Sequence, residues 1–409
     1  MEVMQPAGSM PRPEEFGRAP TAVDLERWRA ADVATRPERL ATLRARAAAE
    51  RLDALLLTSH ADARYFAGME FGVNEEPVAG SSGWLLVADD DLAVLVDSRY
   101  TAQARREAPG ASPLDYGSDP GETIGRWLVA HGVRRCGLDP HAVRHAVWER
   151  IAATAAGVEL VAVRGFGGIQ RARKEPAELE RIAAASAVAD RALARLLPEI
   201  RPGVSEASLA WSLERAMRED GAEALAFDVA ALAGANAALP HGSPSGAPLR
   251  RGEVILFDFG AQVGGYRSDM TRTLFLGAAS EGDLALYERV RRGQAATLDL
   301  LRATISSRTG AMPSGRACDD ATRGVMGAAV GVYEHGLGHG IGLQTHEAPS
   351  LSRSASVEPL PTPTVFSVEP GIYLEDRIGI RIEDLVAVDA HQGTLELLTR
   401  FPSEPMIVG

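Results

Sequence analysis

Glu253–Leu276 reads EVILFDFGAQVGGYRSDMTRTLFL, and Thr364–Val388 reads TVFSVEPGIYLEDRIGIRIEDLVAV. Each opens as an apolar strand that ends on a carboxylate followed by x-Gly: Asp258-Phe-Gly in one, Glu369-Pro-Gly in the other. Each then returns along a second strand carrying another acid, Asp269 or Glu383. What precedes them also repeats. IRPGVSEASLAWSLERAM and MPSGRACDDATRGVM both read as a turn and a helix, and Pro202 and Pro313 each stand 56 residues before their strand-end acid. The spacing predicts a duplicated half-fold with a period of roughly 110 residues and a pseudo-two-fold axis on which four carboxylates meet; chance likeness of two strand–helix segments is the alternative.

An acid at the end of a strand apolar on both faces is expensive to keep charged. Taken singly, such an acid can be a satisfied core residue. Four together would repel, and some would stay protonated at neutral pH unless cations joined them. Two divalent ions carry the compensating charge. A histidine-rich stretch, HGLGHGIGLQTH, adds His335, His339 and His346, three of the nine histidines, among glycines that permit close backbone approach. The spacing is neither HExxH nor a Cys/His finger. Four carboxylates and one imidazole form an oxygen-rich set that favours Mn²⁺ or a similar ion over structural zinc. Paired ions about 3.5–4 Å apart acidify a bridging water and polarise a carbonyl. From ligand types alone the inference ends at a dinuclear hydrolase.

Outward from this half, the chain of 409 residues is long enough for two domains. Pro37–Leu52 has helical spacing. DALLLTS reads as a buried strand, GWLLVADDDLAVLVDSRY as a hairpin, and RCGLDP and VELVAVRG as further strands. GETIGRWLVAHG and HAVWERIAATAAG read as helices between them. Residues 22–168 are therefore expected to be a small α/β domain, and 169–409 the catalytic one. The boundary is drawn before the long Ala-rich helix within Arg171–Leu197, whose first turn holds Pro176. Residues 1–21, rich in Pro, Gly and Glu and without a signal-peptide pattern, read as a flexible leader.

The apolar content is 45% and the formal charge −12, which speaks against a basic field for nucleic acid. No apolar run is long enough to span a membrane. Cys136 and Cys318 stand in no CxxC spacing, so a reducing, cytoplasmic setting is expected.

The motifs D-x-G, S-D-M-T-R-T, G-H-G-I-G-x-x-x-H-E-x-P, V-E-P-G-I-Y and I-R-I-E-D, in that order, resemble the pita-bread metallopeptidases: Xaa-Pro aminopeptidase, prolidase, methionine aminopeptidase and creatinase. ALLLTSHADARYFAGM and LVDSRYTAQA look like the N-terminal domain of the Xaa-Pro and creatinase branch, so the resemblance covers nearly the whole chain. It implies an α+β pita-bread fold behind a creatinase-like domain. It implies two metal ions, Mn²⁺ first and Co²⁺ or Zn²⁺ as alternatives, with Asp258 on one ion and Asp269 on both. His339 and Glu369 would hold the other ion, Glu383 would bridge, and Glu369 would act as general base towards a bridging hydroxide. His241, in ALPHG, matches a substrate-site histidine, and His346 the one that meets the substrate carbonyl.

Arg381 matches an arginine supporting the site; on a strand it shares a face with Glu383, and a plain ion pair explains it equally. Tyr373 matches the aromatic after E-P-G and is expected to help bind substrate, with packing as the alternative. His335 is expected to contact the site from behind His339 or to help bind substrate. Two departures stand out. The arginine that many prolidases carry after H-E-x-P is Ser350 here, with Arg353 the nearest substitute, and TPTVF replaces the usual Gly-Met. The first departure tilts the reading from prolidase towards an aminopeptidase acting on longer Xaa-Pro peptides, expected as a homodimer. A non-peptide C–N hydrolase and a pseudo-enzyme binding module are the remaining alternatives, and both are disfavoured by the intact ligand set.

Overall fold

The computed structural model describes residues 10–72, 76–306, 311–327 and 333–409. Contacts divide the chain into two units, Glu26–Arg171 and Ala172–Gly409 together with Met1–Leu25.

In the first unit six strands form one mixed sheet: β1 (Ala54–Leu57), β2 (Leu85–Ala88), β3 (Leu92–Val96), β4 (Ser112–Asp115), β5 (Arg135–Leu138) and β6 (Glu159–Ala162). Their order is β4-β3-β2-β1-β5-β6, with β1–β2 and β2–β3 antiparallel and the rest parallel. The central strands are apolar on both faces, as strands covered on both sides must be. Leu56, Leu86 and Leu95 pack against Ile124 and Trp127 of the helix Pro120–Ala130. The first helix starts well before the expected Pro37, at Ala22, and runs through that proline to Ala49. Its neighbour one turn back, Val33, is 61% exposed, so the carbonyl left without a donor at this turn lies at a solvated position. Strand β4, SPLD, was not legible as a strand because it is short, proline-bearing and only half-buried.

The second unit holds two related halves. The first contributes β7 (Ala224–Leu225), β8 (Ala230–Ala233), β9 (Val254–Phe259), β10 (Ala261–Val263), β11 (Tyr266–Arg267) and β12 (Met270–Leu276). From the second come β13 (Gly338–Gly340), β14 (Glu347–Leu351), β15 (Thr364–Val368) and β16 (Gly371–Leu374). β17 (Ile378–Arg381), β18 (Asp384–Asp389), β19 (Thr394–Leu397) and β20 (Ile407–Val408) complete it. The larger sheets run β20-β12-β9-β8 and β14-β13-β15-β18-β19.

The duplication expected from the sequence is visible in parallel details. Ser205 and Ser314 each cap the helix that follows, Glu206–Glu219 and Gly315–Met326. Each also forms an isolated bridge to a proline before the central strands, Pro248 in one half and Pro359 in the other. The long helices Pro176–Leu196 and Glu281–Ser306 open the two halves; the first begins at Pro176 behind a Glu175/Glu178 capping box. The fold is the expected α+β arrangement.

The segment read as a flexible leader is described only from residue 10 onward. Residues 1–9 lie outside the described ones, but Pro13–Phe16 form a helical turn whose Phe16 ring stacks on Phe401 with centroids 6.0 Å apart. Arg191 donates to the carbonyls of Phe16 and Gly17. One buried aromatic anchors a stretch whose composition alone reads as loose.

Candidate metal centre and cleft

Four acids stand at corresponding strand ends. Asp258 lies in β9 opposite Thr271 of β12, and Asp269 immediately precedes β12. Glu369 immediately follows β15 and Glu383 immediately precedes β18, beside the Val368–Asp384 pair. Antiparallel pairing thus brings residues far apart in sequence to one place.

His339 enters from β13. Its Nδ1–H donates to the Gly340 carbonyl at 3.1 Å, which leaves the Nε2 lone pair facing the acids. Nε2 lies 3.3 Å from Glu369 Oε1 and 3.7 Å from Asp269 Oδ2. Ligand atoms of Asp269, His339 and Glu383 all fall within 4.8 Å of one another. The glycines around His339 are required by close approach. A Cβ at Gly338 would meet the Ser367 carbonyl at 2.0 Å, and one at Gly340 the Ala348 carbonyl at 2.1 Å.

The electrostatics state the same problem that the sequence posed. Burial, then the charges of Glu383, Asp258 and Glu369, push the Asp269 carboxyl well above its ordinary range. Burial, then Glu369 and Asp258, does the same to Glu383. Glu369 is pushed up to about 7, chiefly by burial, with Arg381 pulling the other way. Asp258 Oδ1 and Glu383 Oε1 are buried and receive no hydrogen bond among the described residues. A lone pair on Nε2, two orphaned carboxylate oxygens and three acids resisting ionisation fit divalent cations between them.

Polar partners hold the acids in place. Arg381, buried, donates to Asp258, to Thr271 Oγ1 at 2.9 Å and to the Tyr373 hydroxyl at 2.8 Å. Thr271 Oγ1 in turn donates to Glu383 Oε2 at 2.7 Å. Ser367 donates to Glu369 Oε1 at 2.9 Å and accepts the His339 amide at 3.0 Å. Arg272, buried behind the site, donates to the Glu383 carbonyl and to Asp384. Thr271, Arg272 and Ser367 were not singled out in the sequence. For Ser367 a signal existed, since it stands two positions before Glu369.

A cleft of about 410 Å³ opens over the acids, walled by Phe227 and Pro240 and rimmed by His241, His335 and His346. His241 and His346 are exposed, and the His346 ring stands 4.2 Å from that of His339. His335 is part-buried. Its Nδ1–H donates to the Gly336 carbonyl at 2.7 Å, so Nε2 accepts from Tyr373 at 3.0 Å, and burial lowers its pKa to about 4. Tyr373, expected as a substrate contact, is only 6% exposed and lies behind Arg381 rather than on the cleft wall; the hydroxyl is used up bridging Arg381 and His335. Neither Ser350 nor Arg353 lines the cleft. A wider cavity of about 900 Å³ in the N-terminal unit, near Arg44, Asp53 and His131, gathers no ligating cluster among the described residues.

Comparison with known proteins places this geometry. Residues 180–390 match the family model of metallopeptidase family M24, and residues 39–174 that of the creatinase/prolidase N-terminal domain. An uncharacterized peptidase of Bacillus subtilis, YqhT, is 31% identical over 87% of this chain and 96% of its own length. Among solved structures, an Xaa-Pro dipeptidase from Bacillus anthracis superposes with a TM-score of 0.79 at 28% identity, covering 91% of this chain and all of its own. An X-Pro aminopeptidase from Thermotoga maritima gives 0.73 at 30% identity, over 87% of this chain and 98% of its own.

Proposed function

The chain belongs to metallopeptidase family M24, and from that premise we propose that it is a two-metal Xaa-Pro aminopeptidase, cleaving between an N-terminal residue and proline. One observation carries the choice of substrate. Arg381 is the only lysine or arginine among the described residues lining the cleft, and Asp258, Thr271 and Tyr373 already occupy it. No lysine or arginine is left among them to seat the free carboxylate of a dipeptide, so a longer peptide that continues past proline suits the cleft better.

Asp258, Asp269, His339, Glu369 and Glu383 would hold the two ions, and the donor set favours Mn²⁺, with Co²⁺ or Zn²⁺ as alternatives. When bound, such a pair acidifies water and polarises the scissile carbonyl. Glu369 has Oε1 committed to Ser367, which leaves Oε2 to take the proton of the attacking water. His346 and His241, at the rim, would donate to the carbonyl oxygen and the leaving amine as charge develops there. Arg381 and Thr271 keep Asp258 and Glu383 aimed inward. Among the described residues no helix is long and apolar enough to cross a membrane. A homodimer and a cytoplasmic setting complete the reading; light scattering and cell fractionation check them.

The names of relatives such as the B. anthracis protein favour a second reading, Xaa-Pro dipeptidase. An assay separates the two: an Xaa-Pro dipeptide, its C-terminal amide and an Xaa-Pro-Xaa peptide, each before and after chelation. We expect the amide and the tripeptide to be cleaved at least as fast as the dipeptide, and all cleavage to stop on chelation. Strong preference for the free dipeptide would transfer the assignment to the second reading.

A further inference from the structure

We propose that the buried Lys174–Glu347 ion pair is a positioning brace for His346, fixing that imidazole over the carboxylate cleft; the inference rests on the reading that His346 acts on the scissile carbonyl. His346 is exposed, and among the described residues its ring has the His339 ring as its packing neighbour and no hydrogen-bond partner. Its position is therefore set by the backbone that carries it, and that backbone is pinned on both sides.

On the N-terminal side, Thr345 Oγ1 donates to the Ala226 carbonyl at 3.0 Å and accepts from Arg267 at 2.9 Å. The Arg267 amide also donates to the Gly342 carbonyl at 2.9 Å. On the C-terminal side stands Glu347, whose Oε1 accepts from Lys174 Nζ at 2.5 Å, with the two side chains 2% and 0% exposed. Lys174 is itself anchored, its amide donating to the Pro363 carbonyl at 2.9 Å. The pair packs directly on the histidine loop, because a Cβ at Gly342 would overlap both Glu347 Oε1 and Lys174 Nζ. Glu347 is also paired with Gly340, next to His339, across the irregular β13–β14 ladder.

Stability is a weak reason for such a pair. Removing two charges from water is costly, and well-packed apolar replacements are often neutral or stabilising. What apolar side chains cannot supply is a fixed direction, since an ammonium–carboxylate contact specifies distance and orientation where methyl groups slide.

The test uses the full-length, Mn²⁺-loaded protein and the variants Lys174→Met, Glu347→Gln and the double Lys174→Met/Glu347→Leu, each also made with His346→Asn. Four quantities are read: kcat and KM on an Xaa-Pro-Xaa peptide, the melting temperature, and the NMR signals of the labelled His346 ring. The single variants should lower kcat by about 10–100-fold with little change in KM. The apolar double should recover the melting temperature and not the kcat. In the His346→Asn background the same changes should cost nothing further, since the brace then holds nothing. A double variant with full kcat, or an equal loss in the His346→Asn background, would overturn the proposal. Should the wild-type protein cleave no Xaa-Pro peptide, the functional reading fails instead, and the ring signals still decide: they should shift or broaden in the double variant, and unchanged signals would refute the brace.

Discussion

In the first half of the catalytic unit, β9 and β12 deliver Asp258 and Asp269; in the second, β15 and β18 deliver Glu369 and Glu383. Both halves share a serine-capped helix and a bridge to a proline ahead of their central strands. They differ in what surrounds the acids. The second half adds β13 and its His339, and Ser367 to tie that strand to Glu369. More telling is that each half leans on the other. Asp258 of the first is held by Arg381 of the second, and Glu383 of the second by Thr271 of the first. Neither half contains a finished site. Duplication provides the acids, and the cross-bracing makes them one centre.

The largest effect should come from removing one acid from either half. Asp269→Asn or Glu383→Gln should lower turnover by at least about 10³-fold, which is about 4 kcal/mol of barrier. In the metal-free protein the same changes should raise the melting temperature, because burial and mutual repulsion already disfavour these charges. A fall in melting temperature with turnover intact would mean the acids are ordinary core residues.

Breaking the cross-brace should cost less. Arg381→Lys loses the fork that spans Asp258, Thr271 and Tyr373, and should weaken Mn²⁺ binding by about 10–100-fold, read by calorimetry. Thr271→Val keeps the shape and leaves both Glu383 and Arg381 short of a partner, at about 1–3 kcal/mol of stability in denaturant titration. Equal effects from Ser367→Ala, which acts within one half, would remove the distinction between bracing across halves and within them; we expect that variant to lose about tenfold in affinity at most.

A smaller effect separates the acids from the histidine behind them by sign. Glu369, at about 7 in the folded protein against an ordinary 4.5, binds more protons folded than unfolded between those values. Its contribution to metal-free stability is therefore full below that window and lost as pH rises through it. His335, lowered from 6.5 to about 4, works the other way: its contribution is present above 6.5 and lost as pH falls towards 4. Melting curves of the metal-free protein across this range, set against Glu369→Gln and His335→Asn, should show each variant flattening the slope of its own sign. If both variants flatten the same sign, one of these burials is wrongly assigned.

Much of this was legible in the sequence, because periodicity and charge both leave marks there. The strand-end acids stand out in VILFDFG and VFSVEPG since charge is rare in such surroundings, and the mirrored spacing pairs them. His339 was marked by the glycines that its close-packed strand requires. What escaped was whatever depends on contacts made across the fold. Thr271 is an unremarkable residue in an apolar strand until the fold sets it against Glu383, and Arg272 shows its role only where it meets the Glu383 carbonyl; Ser367, two positions before Glu369, is the exception. Tyr373 carried the motif but not its depth, and only the structure puts it behind Arg381. Phe16 was one apolar residue in a polar stretch, with a partner nearly the whole chain away.

The most direct test of the metal centre is calorimetric titration of Mn²⁺ into the metal-free protein with proton release followed in parallel. Two ions should bind per chain, protons should leave as the raised carboxyls ionise, and Xaa-Pro hydrolysis should return with them. Full hydrolysis by the thoroughly metal-free protein, with no Mn²⁺ bound, would contradict the account.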